Sequence, residues 1–256
     1  MEQKLINEFN RFALSKGISS SKMDYYMKRL NVSNIHAPNI IEERQLNISV
    51  LDIFSRMMMD RIVTIVGAID ENMSAIVQAQ LLFLNSLDKT KDITCQINTP
   101  GGSVIHGLGI VDIMESIECD VSTQNMGICA SMGSVLVSSG SKGKRYTLNS
   151  AQIMVHQASS GAQGHVRDNS ISHYQTEKFN YLLMRKLAEN SGQTFETIIE
   201  LADRDRWLDS DESVKLGFVD DILIKEGVIP VGELMKGFDD YYNNIIMPRL
   251  RNQDIR

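Results

Sequence analysis

Twice in this chain a short strand-like run enters a turn of small residues and leaves it as a helix, and this alternation restricts the fold more than any other feature. The first copy is a strand over residues 92–98, the turn Thr-Pro-Gly-Gly-Ser at 99–103 and a helix over 104–117. The second is a strand over 120–125, then Met-Gly-Ile-Cys-Ala-Ser-Met-Gly at 126–133, then a helix that Gly140 stops. Two helix N-termini, each behind a small-residue turn, can converge on one site. Ser131 stands at the second junction. A hydroxyl there can be presented to a pocket, and the amide of Met132 points where an oxyanion can form. Gly101 and Gly102 permit positive φ and close backbone approach. Taken singly, each feature has a plainer reading as a packing solution or a tight turn.

The remaining pattern frames these turns. Residues 1–36 read as a separate N-terminal extension, with Leu5, Ile6, Phe9, Phe12 and Ala13 near helical spacing, a break at Gly17, and a second short helix over 22–30. An extended stretch over 39–50 precedes a helix over 51–61, a buried strand over 61–67 and an amphipathic helix over 72–87. In the helix over 104–117, Ile105, Leu108, Ile110, Val111 and Met114 are expected to face inward. Strands are expected at 145–148 and 152–157, an extended glycine-rich piece at 159–164, a long polar-faced helix at 166–190 ended by Gly192, and a helix at 195–201. Ser210 can cap a short helix over 211–216, and a last strand runs over 218–224. The expected division is an extension over 1–36, a main domain over 37–227 and a tail over 228–256.

Net charge is −6, from 26 basic and 32 acidic residues. That gives no electrostatic reason to expect nucleic acid or an anionic membrane as partner. Cys95, Cys119 and Cys129 lie apart without Cys-x-x-Cys spacing, and the five histidines are scattered, so neither a disulfide framework nor a metal site is expected. No apolar run approaches the ~18–20 residues of a membrane span, and the N-terminus lacks the apolar region of a secretory signal. The expected location is cytoplasmic. No phosphate-loop motif occurs.

Covalent acyl transfer needs a nucleophile, a base, a group to orient the base, and donors for the oxyanion. Ser131, His156 and Asp205 can fill the first three roles, with the amides of Gly102 and Met132 as donors. The residues alone do not select His156 and Asp205 over His173 or Asp221.

Four blocks supply the selection: Ile-Asn-Thr-Pro-Gly-Gly-Ser-Val at 97–104, Gly-Ile-Cys-Ala-Ser-Met-Gly-Ser at 127–134, Ile-Met-Val-His-Gln at 153–157 and Arg-Asp-Arg-Trp-Leu at 204–208. With 25 residues from Ser131 to His156 and 49 from His156 to Asp205, the stretch from about Pro38 to Ile224 resembles the Clp protease (ClpP) family. The resemblance implies an α/β fold, a ClpP/crotonase-like spiral of β-β-α units with a protruding strand–helix handle over 159–190. It implies a serine endopeptidase that cleaves unfolded polypeptides, with Ser131 as nucleophile, His156 as general base, Asp205 as its orienting carboxylate, and Gly102 and Met132 as the oxyanion hole. It further implies a homo-oligomer of two stacked heptameric rings (a tetradecamer), Arg204 between rings, and an AAA+ unfoldase of the Clp type as partner. ATP would be used by that partner, with no cofactor or metal in this chain. Ile128, Cys129, Thr99 and Asn149 depart from the family pattern. So do Thr94 and Gln96, which stand where many relatives carry the aromatics of the unfoldase-docking pocket. The competing readings are a catalytically silent ring subunit of the same shape and a crotonase-type acyl-CoA enzyme.

Overall fold

The computed structural model describes residues 8, 11–21, 39–44, 47–159, 161 and 164–248. In chain order, β1 (Asn39–Arg44) and β2 (Asn47–Asp52) pair antiparallel and α1 (Ile53–Met59) follows. Then β3 (Ile62–Val66), α2 (Glu71–Leu87), β4 (Ile93–Thr99), α3 (Val104–Ser116) and β5 (Val121–Ala130) alternate. After them come α4 (Met132–Ser138), β6 (Arg145–Leu148), β7 (Gln152–Val155), α5 (Val166–Ser191), α6 (Phe195–Leu201) and β8 (Arg206–Leu208). The chain continues through α7 (Ser210–Lys215), β9 (Asp221–Leu223), α8 (Val231–Leu234) and α9 (Phe238–Tyr241), which runs into a π-helical turn, Tyr242–Ile246.

Parallel neighbours need a crossover, and α2 and α3 supply it between β3, β4 and β5. Among the described residues the sheet has seven strands in the order β3-β4-β5-β6-β9, all parallel, with β7 parallel to β5 and β8 antiparallel to β7. The architecture is α/β, as expected. β5 serves two neighbours in succession. Thr123–Asn125 pair with β6 and Ile128–Ala130 with β7, so a short branch leaves the main sheet at residues 126–127.

Burial in β4 alternates strictly. Ile93, Cys95, Ile97 and Thr99 are buried against the helices, while Thr94, Gln96 and Asn98 lie half-buried on the other face, where Gln96 donates to Gln124 at 3.4 Å. On the helix side, Ile65, Ile97, Leu81, Leu84, Ile110 and Leu136 are fully buried, each contributing about 1.5–3 kcal/mol. The N-terminal piece joins this core. Residues 11–15 are helical, Ala13 and Ile18 are buried, and the Phe12 ring lies 5.8 Å from that of Phe83 on α2.

Several expectations need correction. β5 runs to Ala130, five residues beyond the expected end. Residues 51–52 belong to β2 rather than to the following helix. Ile105 is 62% exposed and turned away from the core, although Val104 and Leu108 of the same helix pack against it. Asp209, not Ser210, caps α7, through a reciprocal capping box with Glu212. The handle contributes its helix α5. None of the described residues between 156 and 165 is in a strand, and residues 160, 162 and 163 lie outside the described residues. The helix expected over 22–30 lies outside the described residues.

Candidate active site

At the end of β5 the chain turns abruptly into α4, and Ser131 absorbs the turn with φ 55° and ψ −121°. That region is sparsely populated for any residue but glycine and costs on the order of 1–3 kcal/mol. The surroundings hold it there. Ser131 N–H donates to Met154 O on β7 at 2.8 Å, and the Ser131 carbonyl accepts from Ser134 N–H at 2.9 Å and Ser134 Oγ at 2.6 Å. A strained serine between a strand and a helix lifts its hydroxyl clear of the backbone.

Facing it is the turn after β4. Gly102 forms a parallel bridge with Ile69, in which Ile69 N–H donates to Gly101 O and Ser103 N–H donates to Ile69 O, both at 2.9 Å. That pattern leaves the Gly102 N–H on the opposite side. The approach admits no side chain: a Cβ on Gly102, at φ +150°, would lie 2.3 Å from Ile69 O. Thr99 Oγ1 braces the turn by accepting from Gly101 N–H at 3.0 Å and donating to Gly67 O at 2.6 Å. Among the described residues, neither the Gly102 nor the Met132 amide donates to another protein group.

The third component comes from the branch. Pairing of Val155 with Arg206 across β7 and β8 brings the residues just beyond the ladder, His156 and Asp205, side by side. His156 Nδ1 lies 3.1 Å from Asp205 Oδ1. Donation from Nδ1 to that carboxylate leaves Nε2 as the acceptor nitrogen. Asp205 is 67% exposed and His156 27%.

Ser131, Met132, Gly102 and His156 line one cleft of about 60 Å³, whose apolar wall includes Val104, Val135, Leu183, Met184 and Leu187. Asp205 lies behind His156. No hydrogen bond joins Ser131 Oγ to His156. His173 is exposed on α5 and Asp221 lies on the edge strand β9, so neither lines the cleft. Cys129, two residues before Ser131, is not a rival nucleophile. It is fully buried, and burial raises its thiol pKa; burial likewise pushes Cys95 up to about 12. Among the described residues no three His, Cys, Asp or Glu side chains cluster as a metal site.

Sequence reasoning missed two neighbours of the site. Asn180 on α5 accepts from Ala158 N–H at 3.0 Å and so ties the segment after His156 to the helix. Ser134 holds the Ser131 carbonyl. Its hydroxyl was visible at the third position after the serine, the spacing at which a helical serine reaches back to a carbonyl.

Amides without acceptors around a raised hydroxyl suit the negative oxygen of an acyl-transfer intermediate, which places the molecule in the class of serine hydrolases. Comparison with known proteins narrows that class. Residues 44–226 match the family model described as Clp protease. Proteins named ATP-dependent Clp protease proteolytic subunit are similar over most of their length. That of Bacteroides fragilis (strain YCH46) is 41% identical over 222 residues, 86% of this chain and 100% of that one. That of Porphyromonas gingivalis is 42% identical over 221 residues, 86% and 99%, and that of Streptococcus pneumoniae (strain Hungary19A-6) is 45% identical over 188 residues, 73% and 96%. The chain belongs to the Clp protease family, and it is a serine-type peptidase.

Proposed function

We propose that Ser131 is the nucleophile of this peptidase, His156 its general base, Asp205 the carboxylate that orients the imidazole, and the amides of Gly102 and Met132 its oxyanion hole. The observation that carries the assignment is the shared cleft, in which an imidazole bound to a carboxylate at 3.1 Å meets a strained serine and two amides without acceptors. Ser131 Oγ attacks the peptide carbonyl carbon while His156 Nε2 takes the hydroxyl proton. The two amides hold the oxyanion, and Asp205 stabilises the imidazolium. The imidazolium then protonates the leaving amine, and water hydrolyses the acyl-enzyme by the same route. The apolar wall receives the side chain preceding the scissile bond. Because the base must be neutral, activity falls on acidification.

The assembly reading is a self-compartmentalised homo-oligomer of two stacked heptameric rings, fed with unfolded polypeptide by an AAA+ unfoldase. Three observations support it. The relatives are named for an ATP-dependent protease, while this sequence carries no phosphate loop. The outer half of α5 exposes Val166, Ile171 and Tyr174, which no monomer needs there. The side chain of Arg204 is 89% exposed beside Asp205. The half-buried face with Thr94 and Gln96 would then give the unfoldase a polar docking site. A cytoplasmic location fits the free Cys95, Cys119 and Cys129. No described helix is long and apolar enough to cross a membrane.

A fluorophosphonate probe tests the nucleophile. Wild type is expected to be labelled and Ser131→Ala to remain unlabelled; equal labelling of both refutes the assignment.

A further inference from the structure

We infer that Ser134 is a positioning residue for the oxyanion hole, acting through the carbonyl of Ser131 on the amide of Met132. The inference rests on the assignment of Ser131 and Met132 made above. The Ser131 carbonyl and the Met132 N–H belong to one peptide unit, and a trans peptide is planar with its C=O and N–H pointing in opposite directions. Fixing the oxygen therefore fixes the direction of the hydrogen. The oxygen is held twice from the far side of the plane, by Ser134 N–H at 2.9 Å and Ser134 Oγ at 2.6 Å. The N–H that opposes it has no acceptor among the described residues and borders the cleft.

The second amide is oriented in the same way. The carbonyl in the peptide unit of the Gly102 N–H is that of Gly101, and it accepts from Ile69 N–H at 2.9 Å. Backbone does this at Gly101, and a side chain shares the work at Ser131. The need is greater at Ser131, whose backbone at φ 55° has a lower-energy arrangement to relax into. Other serines reach back three residues in this chain, among them Ser86 to Phe83 O and Ser116 to Ile113 O, both at the ends of their helices. Ser134 differs in that the carbonyl it holds belongs to the peptide whose amide opens into the cleft. Its residue is 1% exposed, although it borders the same cleft.

The test compares Ser134→Ala with Ser134→Thr, which keeps a hydroxyl able to reach back. Saturation kinetics on a fluorogenic peptide amide are read beside thermal melting, with Ser131→Ala as the reference for the underlying site. Ser134→Ala is expected to lower kcat about five-fold, the worth of one neutral hydrogen bond, with KM unchanged and a melting temperature lower by only about 2–4 °C. Ser134→Thr is expected to restore kcat. A peptide aldehyde, which adds the Ser131 hydroxyl across its carbonyl and leaves a tetrahedral oxygen in the hole, should lose affinity for Ser134→Ala by the same factor as kcat. The cleaved product peptide should lose none. Wild-type kcat in Ser134→Ala, a loss carried by KM, or a melting-competent Ser134→Thr that stays as slow as alanine would each overturn the inference. If Ser131→Ala is inert while Ser134→Ala is fully active, only the positioning role falls. If Ser131→Ala still hydrolyses the peptide, the site assignment falls and takes this inference with it.

Discussion

Replacing Gly102 by alanine tests both its close approach to Ile69 and its proposed oxyanion role. The added Cβ would sit 2.3 Å from Ile69 O and 2.7 Å from Ile69 N, so the two backbones must part. Separation breaks the bonds Ile69 N–H to Gly101 O and Ser103 N–H to Ile69 O, both 2.9 Å. Two neutral hydrogen bonds are worth about 2 kcal/mol, and holding alanine at φ +150° adds about 1–3 kcal/mol. The sum, about 3–5 kcal/mol, corresponds to a fall of roughly 6–20 °C in melting temperature for a chain of this size. Activity should suffer independently. The Gly102 N–H moves with the displaced backbone, and loss of one oxyanion donor costs ~10²–10³ in kcat. Gly143→Ala is the control. Gly143 also has positive φ, +80°, but nothing lies within 4 Å of its added Cβ, so only the conformational cost of about 1 kcal/mol applies. Calorimetry gives the stability, and hydrolysis of a peptide amide, measured below the transition and normalised to folded protein, gives kcat. Gly102→Ala with wild-type kcat would refute the oxyanion role of its amide. A melting temperature no lower than that of Gly143→Ala would refute the close approach to Ile69.

Asp205→Asn is expected to cut kcat by ~10²–10⁴ by favouring the wrong imidazole tautomer, with little change in melting because the carboxylate is mostly exposed; peptide hydrolysis within a few-fold of wild type would contradict this. Arg145, 4% exposed, binds Asp220 through Nε at 3.0 Å and Nη2 at 2.5 Å, and also reaches Ser138 O and Asn190 O. Asp220→Asn should therefore cost about 3 kcal/mol in denaturant titrations at neutral pH by leaving a buried cation unpaired. Burial works to raise the Asp220 carboxyl, but hydrogen bonds and charge from Arg145 outweigh it and hold the group below the ordinary value of 3.8. Its stabilisation is thus present above that value and lost as pH falls through the lower folded-state value, so the stability gap between wild type and Asp220→Asn should narrow only in strong acid. Asn149 fastens the C-terminal tail, donating to Ile229 O at 3.1 Å and accepting from Val231 N–H at 2.9 Å. Asn149→Ala should speed proteolytic nicking within 228–248 and leave hydrolysis of short peptides unchanged; equal nicking rates would show that the clasp is dispensable.

The alternation of strand, small-residue turn and helix was legible because each element carries its own local signal, and α6 and β6 fall where the pattern puts them. The extent of β5 was not, because its last residues include Gly127 and a shift of register opposite Ile97 and Thr99, which only the neighbouring strand explains. The cap of α7 was misassigned between two adjacent capping residues, although Glu212 three positions after Asp209 marks the box. The outer half of α5 could not be placed by periodicity, since Ile171 and Tyr174 are exposed while Leu183, Met184 and Leu187 are buried. The position of Ser131 at a strand-to-helix junction was legible from its small neighbours. That His156 rather than His173 borders the cleft was not, because it depends on β7 leaving the main sheet to run beside the end of β5. The φ of Ser131 left no trace in composition or spacing.

The branching of β5 also has a mechanical consequence. The branch that bears His156 hangs from the main sheet by three residue pairs, Ile128↔Gln152 to Ala130↔Met154, and the strand behind Asp205 hangs from it by three more. Warming frays such short attachments first, while β4, buried between β3 and β5, stays closed. On the proposed assignment, hydrolysis should therefore fade at temperatures where the bulk of the molecule is still intact, because the base and its carboxylate are mounted on short attachments.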